Sequence, residues 1–469
     1  MTSNTELSKR EHRLAMHYLN KLRTVNEAMQ RGQSNVWYGL TIFDQEWEQI
    51  RHWQAWTVRR APDDELRARL CIEFPLAGLE VLANRNNAEV QIKWLAAGLE
   101  AARQLQDKEA ERSLGYELMM VYYRLGSLEA GRDIACQLLA LGEAANDLLC
   151  TERAYFGLAV YSEERGMYSD AEQSYQQALR LSRKLGVTTE TGRALNALGG
   201  VAQYVGEFEK SYHYVSQYLE LMELHGKQNR VCHALISLGE SLISLKVYTD
   251  AEQCLQRAVR KCRSLGFQRL LGVGLLTLGA LALEADELDL AQTYLHEGLQ
   301  AVRAVGVQRQ IVSGLTKLGY MDLRREDFVG AFAHLYEGLE MARGVGNPRY
   351  ICEVELALAH AFLAVNDYDA ARHILRESLS IVQRLDSRSQ KARSLSGVVA
   401  YYQCLGHYKQ AATVSGAIKD ELLVDTPLFR GVRAQLEKAL GLVDYHSALA
   451  EGARRSLDET VAEALVAMT

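Results

Sequence analysis

The chain has 469 residues, 48% of them hydrophobic, only four prolines, and a net charge of −6. That length exceeds one compact core and suits about three ordinary domains. The apolar fraction excludes a disordered chain, the scarcity of proline argues against an all-β fold and for long helices, and the negative balance argues against nucleic acid as the main ligand.

Residues 1–63 have a texture of their own. Residues 5–61 read as two or three helices and hold four of the five tryptophans, Trp37, Trp47, Trp53 and Trp56. The first 60 residues carry nine Lys or Arg and six Asp or Glu, a balance of +3. The tryptophans suit a bulky cap on the open end of a repeat array; a docking surface for a partner is the alternative, since Trp is enriched at interface hot spots. The opening residues have no apolar core of signal-peptide type, and no run of 18 apolar residues occurs. A cytoplasmic chain without a membrane span is therefore expected. The richest apolar stretch, Leu270 to Leu283, reads as a buried helix.

From residue 64 the chain repeats. Six-residue turn segments begin at Gly126, Gly166, Gly206, Lys246, Asp286, Glu326, Asn366 and Gly406, spaced by 40 residues each time. A second beat falls 20 residues away, at Gly186, Gly226, Gly266, Gly306 and Gly346, with Gln106, Asn146 and Asp386 in the same phase. Gly or Asn closing an apolar-periodic stretch supplies the left-handed residue that stops a helix. Each unit then holds two helices, A and B, of about 16 residues or ~25 Å each. Leu198, Leu238, Leu278 and Leu318 mark the middle of helix A and are followed by Gly199, Gly239, Gly279 and Gly319. A glycine in mid-helix costs about 1 kcal/mol against Ala, so four in phase predict close approach of the facing helix. Residues 64–105 read as a divergent first unit, and the array runs over 64–422 in about nine helix pairs.

Past Pro427, residues 423–469 read as short helices that cap the array. Ser456 and Glu459 have capping-box spacing.

The pattern Leu198-Gly199, Gly206-Glu207-Phe208, Ser211 resembles the tetratricopeptide repeat. The 40-residue unit is similar to that of Pins-type scaffolds and of the C-terminal sensor arrays of bacterial signalling NTPases and transcription regulators. The resemblance covers about three quarters of the chain. It implies an all-α, right-handed solenoid of antiparallel helix pairs, with helical caps at both ends and a concave face lined by the A helices.

By analogy with that family, groove residues lie 13, 10, 6, 3 and 2 positions before each turn. In the first full units these include Tyr116, Tyr122, Tyr123 and Arg153. Next come Arg193, Asn196, Tyr204, His233 and Glu240. Last come Tyr320, Arg324, Glu353, His360 and Arg393. This mixed surface suits an amphipathic or extended polypeptide better than a polyanion. Asn196 stands without the lysine that chaperone-tail-binding members pair with it.

Enzymatic signatures are absent. No GxxxxGK[ST] loop, HExxH or GxSxG occurs. None of the eight cysteines forms a CxxC pair, and they read as small buried hydrophobes. No catalytic residue, metal or cofactor is therefore expected. The resemblance implies a protein-protein interaction scaffold or sensor that binds a protein or peptide in its groove and regulates a separate effector. A peptide-pheromone receptor regulator is the alternative. A non-catalytic regulatory subunit of a larger defence or protease complex is the third reading.

Overall fold

The computed structural model describes residues 2–31, 34–59, 64–84, 88–125, 127–226, 228–306, 308–385, 387–418 and 432–468. Every regular element among them is helical. The turn start at Gly126, the stop at Asp386 and the break at Pro427 lie outside the described residues. The chain divides into two units: residues 1–161 with 177–186, and residues 162–176 with 187–469.

The first unit begins with α1 (Thr2–Arg31) and α2 (Ser34–Arg59) and continues through α3 (Glu65–Ala77), α4 (Leu79–Asn84) and α5 (Ala88–Gln104). Leu19 and Leu22 of α1 pack with Ile50, Trp53 and Trp56 of α2 and with Phe74 and Trp94. Trp53 and Trp56 are only 9% and 8% exposed. Trp47 stacks on Trp94 at 6.0 Å between ring centroids, and the Arg67 guanidinium lies 3.8 Å from the Trp56 ring. Three of the four N-terminal tryptophans therefore contribute to a core; the side chain of Trp37 lies outside the described residues. The unit goes on through α6 (Lys108–Arg124) and α7 (Leu128–Ala145), and takes most of α8 (Leu148–Glu164) and the C-terminal half of α9 (Tyr168–Leu185).

The second unit alternates A and B helices as the forty-residue beat demands. These are α10 (Thr188–Val205), α11 (Phe208–Leu224), α12 (Gln228–Ser244), α13 (Tyr248–Leu265), α14 (Gln268–Glu284) and α15 (Leu288–Val305). Then follow α16 (Gln308–Arg324), α17 (Phe328–Val345), α18 (Pro348–Ala364), α19 (Tyr368–Val382), α20 (Arg388–Cys404) and α21 (Tyr408–Ala417). Helix α14 contains the apolar stretch and is buried along most of its length.

Both beats end helices in the left-handed region. Gly266, Gly306 and Gly346 have φ of 72°, 72° and 73°, and the non-glycine stops Lys246, Asp286, Glu326 and Asn366 have φ between 60° and 65°. The polar cap work falls to the following residue in some units. Asp327 accepts from Gly330 N at 3.0 Å, and Asp367 from Ala370 N at 3.1 Å.

The mid-helix glycines do meet the facing helix. A Cβ at Gly239 would stand 2.6 Å from Leu255 Cγ, and one at Gly279 2.6 Å from Leu295 Cγ. One at Gly319 would stand 2.5 Å from Leu335 Cγ. A leucine of helix B fills the hole at these three positions, and Val215 does so at Gly199. Gly279→Ala is expected to destabilise the protein by about 1–3 kcal/mol through overpacking, despite its better helix propensity. Urea unfolding at one pH reads this, and an unchanged or higher midpoint would contradict it.

The C-terminal segment forms α22 (Val432–Leu440), α23 (Leu442–Gly452) and α24 (Leu457–Ala467). The capping box is present: Glu459 N donates to Ser456 Oγ at 3.1 Å, and Ser456 N donates to Glu459 Oε2 at 2.8 Å. Val432, Leu436, Tyr445, Val461 and Ala464 join the core of α19 to α21 and close that end of the second unit. Among the described residues no helix is long and apolar enough to cross a membrane, and no group of His, Cys, Asp and Glu could hold a metal ion. Five cysteines are buried and Cys254 is half-buried, but Cys136 and Cys404 are exposed, so two of the eight do not serve as core hydrophobes.

Candidate functional site

In the first unit, the Arg153 guanidinium lies 4.8 Å from the centroid of the Tyr116 ring. Tyr116 is buried and Tyr122 half-buried. Tyr123 turns away from this pair: its ring occupies the space where Gly131 of α7 lacks a side chain, and it is 2% exposed.

The second unit brings many more of the predicted residues together, because its A helices α10, α12, α14, α16, α18 and α20 project the same register inward. Its distinguishing contacts cross between distant repeats. Glu164 pairs with Arg309 of α16 at 2.6 Å and accepts from Asn347 Nδ2 at 2.6 Å. Arg349 lies 4.1 Å over the ring of Tyr204, and Ser387 Oγ donates to the Tyr204 carbonyl at 2.7 Å across 183 residues. Glu164 and Tyr204 therefore meet residues between 309 and 387, roughly four repeats away.

Burial tunes the charges at this meeting point. It pushes the Glu163 carboxyl up to about 7, against the 2.7 Å hydrogen bond donated by Tyr175. Burial also works against ionisation of Glu353, but Arg349, Arg393 and Lys317 together outweigh it and hold this carboxyl below the usual range. Arg349 Nε sits 3.1 Å from Glu353, and Arg393 3.6 Å. Glu240 keeps an open surface, yet desolvation by the surrounding protein still pushes its carboxyl up, with Lys317 and Arg349 opposing.

The remaining predicted residues lie on the same A helices and contact their near neighbours. Asn196 accepts from Ser237 Oγ at 3.2 Å, which ties α10 to α12. Arg193 is half-buried on α10. His233 packs its ring 6.2 Å from Tyr218, and Tyr320 faces His360 at 6.1 Å. Burial pushes both histidines down to about 4, so each is neutral near pH 7. Arg324 forms an ion pair with Asp286.

Arg309 and Arg349 are the main participants that the groove register missed. They fall 17 positions before their turns, one helical turn earlier than the outermost position used, so extending the register by four residues would have found them. Asn347 and Ser387 cap the helices that follow them, accepting from Arg349 N at 2.9 Å and Gln390 N at 3.1 Å. A cap residue gives no sequence signal that it also reaches a distant repeat.

No family model matches the chain, and no curated protein sequence does. Solved structures do. A Rap protein complexed with Competence and Sporulation Factor is 15% identical with a TM-score of 0.57, over 78% of this chain and 99% of that one. A Rap conjugation gene regulator in complex with the Phr* peptide is 16% identical, with a TM-score of 0.47 over 64% of this chain and 80% of that one. A signal transduction ATPase with a tetratricopeptide repeat sensor from Pyrococcus horikoshii is 18% identical, with a TM-score of 0.44 over 70% of this chain and 52% of that one. The likeness to the first of these establishes the fold as a helical-repeat solenoid.

Proposed function

We propose, on the premise that the chain is a tetratricopeptide-type helical-repeat protein, that it is a non-enzymatic regulator binding a polypeptide on the concave register of its second unit. Acting in the cytoplasm, it passes that binding event to a separate effector. The observation that carries this reading is the set of polar contacts spanning distant repeats: Glu164 with Arg309 and Asn347, and Arg349 with Tyr204. Neighbouring repeats contact chiefly each other, so small rotations accumulate along a solenoid. A ligand that competes for these polar groups changes the angle at several joints at once. Such a change is the signal, provided the ligand binds the two arrangements with different affinity.

The mixed lining supports a polypeptide over a polyanion, since Glu163, Glu240 and Glu353 share the register with Arg193, Arg349 and Arg393. A diffusible peptide factor is the narrower reading. The Rap protein's complex with Competence and Sporulation Factor favours it. A partner protein bound within a larger complex would use the same face.

The test is selection of displayed random peptides on the full chain, followed by calorimetry of the winners. Peptides of micromolar affinity are expected, with Arg193→Ala and Tyr204→Ala each weakening them about tenfold or more. Tyr336→Ala, on the outer helix α17 and 52% exposed, should leave affinity unchanged. Selected peptides that bind both concave variants as tightly as the parent would sink the proposal.

A further inference from the structure

Three cations enter the concave register of the second unit from successive A helices: Lys317 of α16, Arg349 of α18 and Arg393 of α20. A single carboxylate, Glu353, stands within ion-pair distance of Arg349 and Arg393. Lys317 has no such carboxylate among the described residues; its ammonium donates to Ser313 Oγ at 2.5 Å. Arg393 Nε is buried and has no hydrogen-bond partner among the described residues. The guanidinium of Arg349 lies 4.1 Å from the centroid of the Tyr204 ring and 5.1 Å from that of Tyr350.

This arrangement is short of negative charge. Glu353 already serves two guanidiniums, and the other acids in reach, Glu240 facing Lys317 and Glu163 facing Arg349, are themselves pushed toward their protonated forms by desolvation. Burial pushes the Lys317 ammonium down, Arg349 and Arg393 add to it, and Glu353 and Glu240 oppose. Cations gathered away from bulk water without matching counter-charge are costly, and an incoming anion removes that cost. The three side chains are half-buried rather than sealed, so a ligand can reach them.

We propose that Lys317 and Arg393, backed by Arg349, form a binding site for one oxyanion of a ligand, a carboxylate or a phosphoryl group. Lys317 supplies rotatable N–H donors, and Arg393 offers the Nε–H that now lacks an acceptor. The site deepens the polypeptide reading above by giving that ligand a charged anchor, and it is testable without any peptide.

The experiment titrates the full chain with inorganic phosphate and, separately, with succinate, sodium chloride holding ionic strength fixed. Binding is read by calorimetry and by thermal melting. A saturable interaction is expected, with Lys317→Met and Arg393→Met each weakening it about tenfold. Arg372→Met, an exposed site paired with Asp369 at 3.4 Å, should change nothing. Circular dichroism confirms folding, and Lys317→Gln gives a milder second variant. Tighter phosphate binding assigns the source to a phosphoryl group, and tighter succinate binding to a carboxylate. Absence of saturable binding by either probe overturns the site, as does equal affinity in Lys317→Met and Arg393→Met. Oxyanion binding with no peptide binding would overturn the polypeptide reading alone.

Discussion

Raising the pH from 6.5 to 8.5 is expected to lower stability by about 2 kcal/mol, with Glu355→Gln removing most of that loss. Glu355 lies on α18 and is 1% exposed. Its Oε2 is buried and has no hydrogen-bond partner among the described residues, and Arg343 stands 3.8 Å from the other oxygen. Burial pushes the carboxyl up to about 8, Glu377 adds to it and Arg343 opposes. A carboxyl with a raised folded pKa stabilises the fold in its protonated form. That contribution is complete below the ordinary value of 4.5 and disappears as pH rises through about 8. Glu163, pushed up to about 7, acts in the same direction. His233 and His360, pushed down to about 4, act in the opposite direction and regain stability as pH rises through their ordinary value of 6.5, a partial offset in the lower part of the window. The comparison of parent with Glu355→Gln cancels that offset, because both proteins carry the two histidines. Urea midpoints at the two pH values, for parent and Glu355→Gln, read the effect. Parallel losses in both proteins would show that Glu355 does not carry it.

Gly452→Ala is expected to release the C-terminal helices from the array. Helices α21 and α23 cross backbone to backbone: a Cβ on Gly452 would fall inside the contact radius of the Thr413 carbonyl oxygen, and one on Gly416 would meet the Leu449 carbonyl. Neither obstacle is a flexible side-chain end, so the helices must separate. Overpacking ordinarily costs about 1–3 kcal/mol, and a backbone obstacle puts this site at or above the top of that range. Tyr445 and Ala448 would then lose their cover. Limited proteolysis should cut near Gly441 in Gly452→Ala far sooner than in the parent. Unchanged cleavage would show that the crossing tolerates a methyl group.

Much of the architecture was legible because its causes are local. Helix stops need left-handed residues, so Gly186 and Gly266 announce themselves. Gly279 announces the hairpin, because a small residue in mid-helix makes sense only beneath a neighbour, which the structure identifies as Leu295. The capping box at Ser456 needs no partner beyond four residues. Less legible was the identity of the stops at Lys246, Asp286 and Glu326, where ordinary side chains adopt positive φ. There the phase of the repeat, and not residue type, carried the assignment. The groove register found Tyr204, Glu353 and Arg393 but missed Arg309, Arg349 and Lys317, and it included Tyr123, which packs on α7.

The amino-acid order alone determined the helix pairs, their forty-residue period and the glycine holes between paired helices, since each depends on interactions within one or two turns or one hairpin. Only the tertiary structure decided which inward side chains meet. The pairing of Glu164 with Arg309, and of Tyr204 with Arg349, depends on rotations summed over roughly four repeats. A few degrees at each joint, set by side-chain packing between neighbouring repeats, accumulate into displacements larger than a hydrogen bond, and no local pattern encodes that sum.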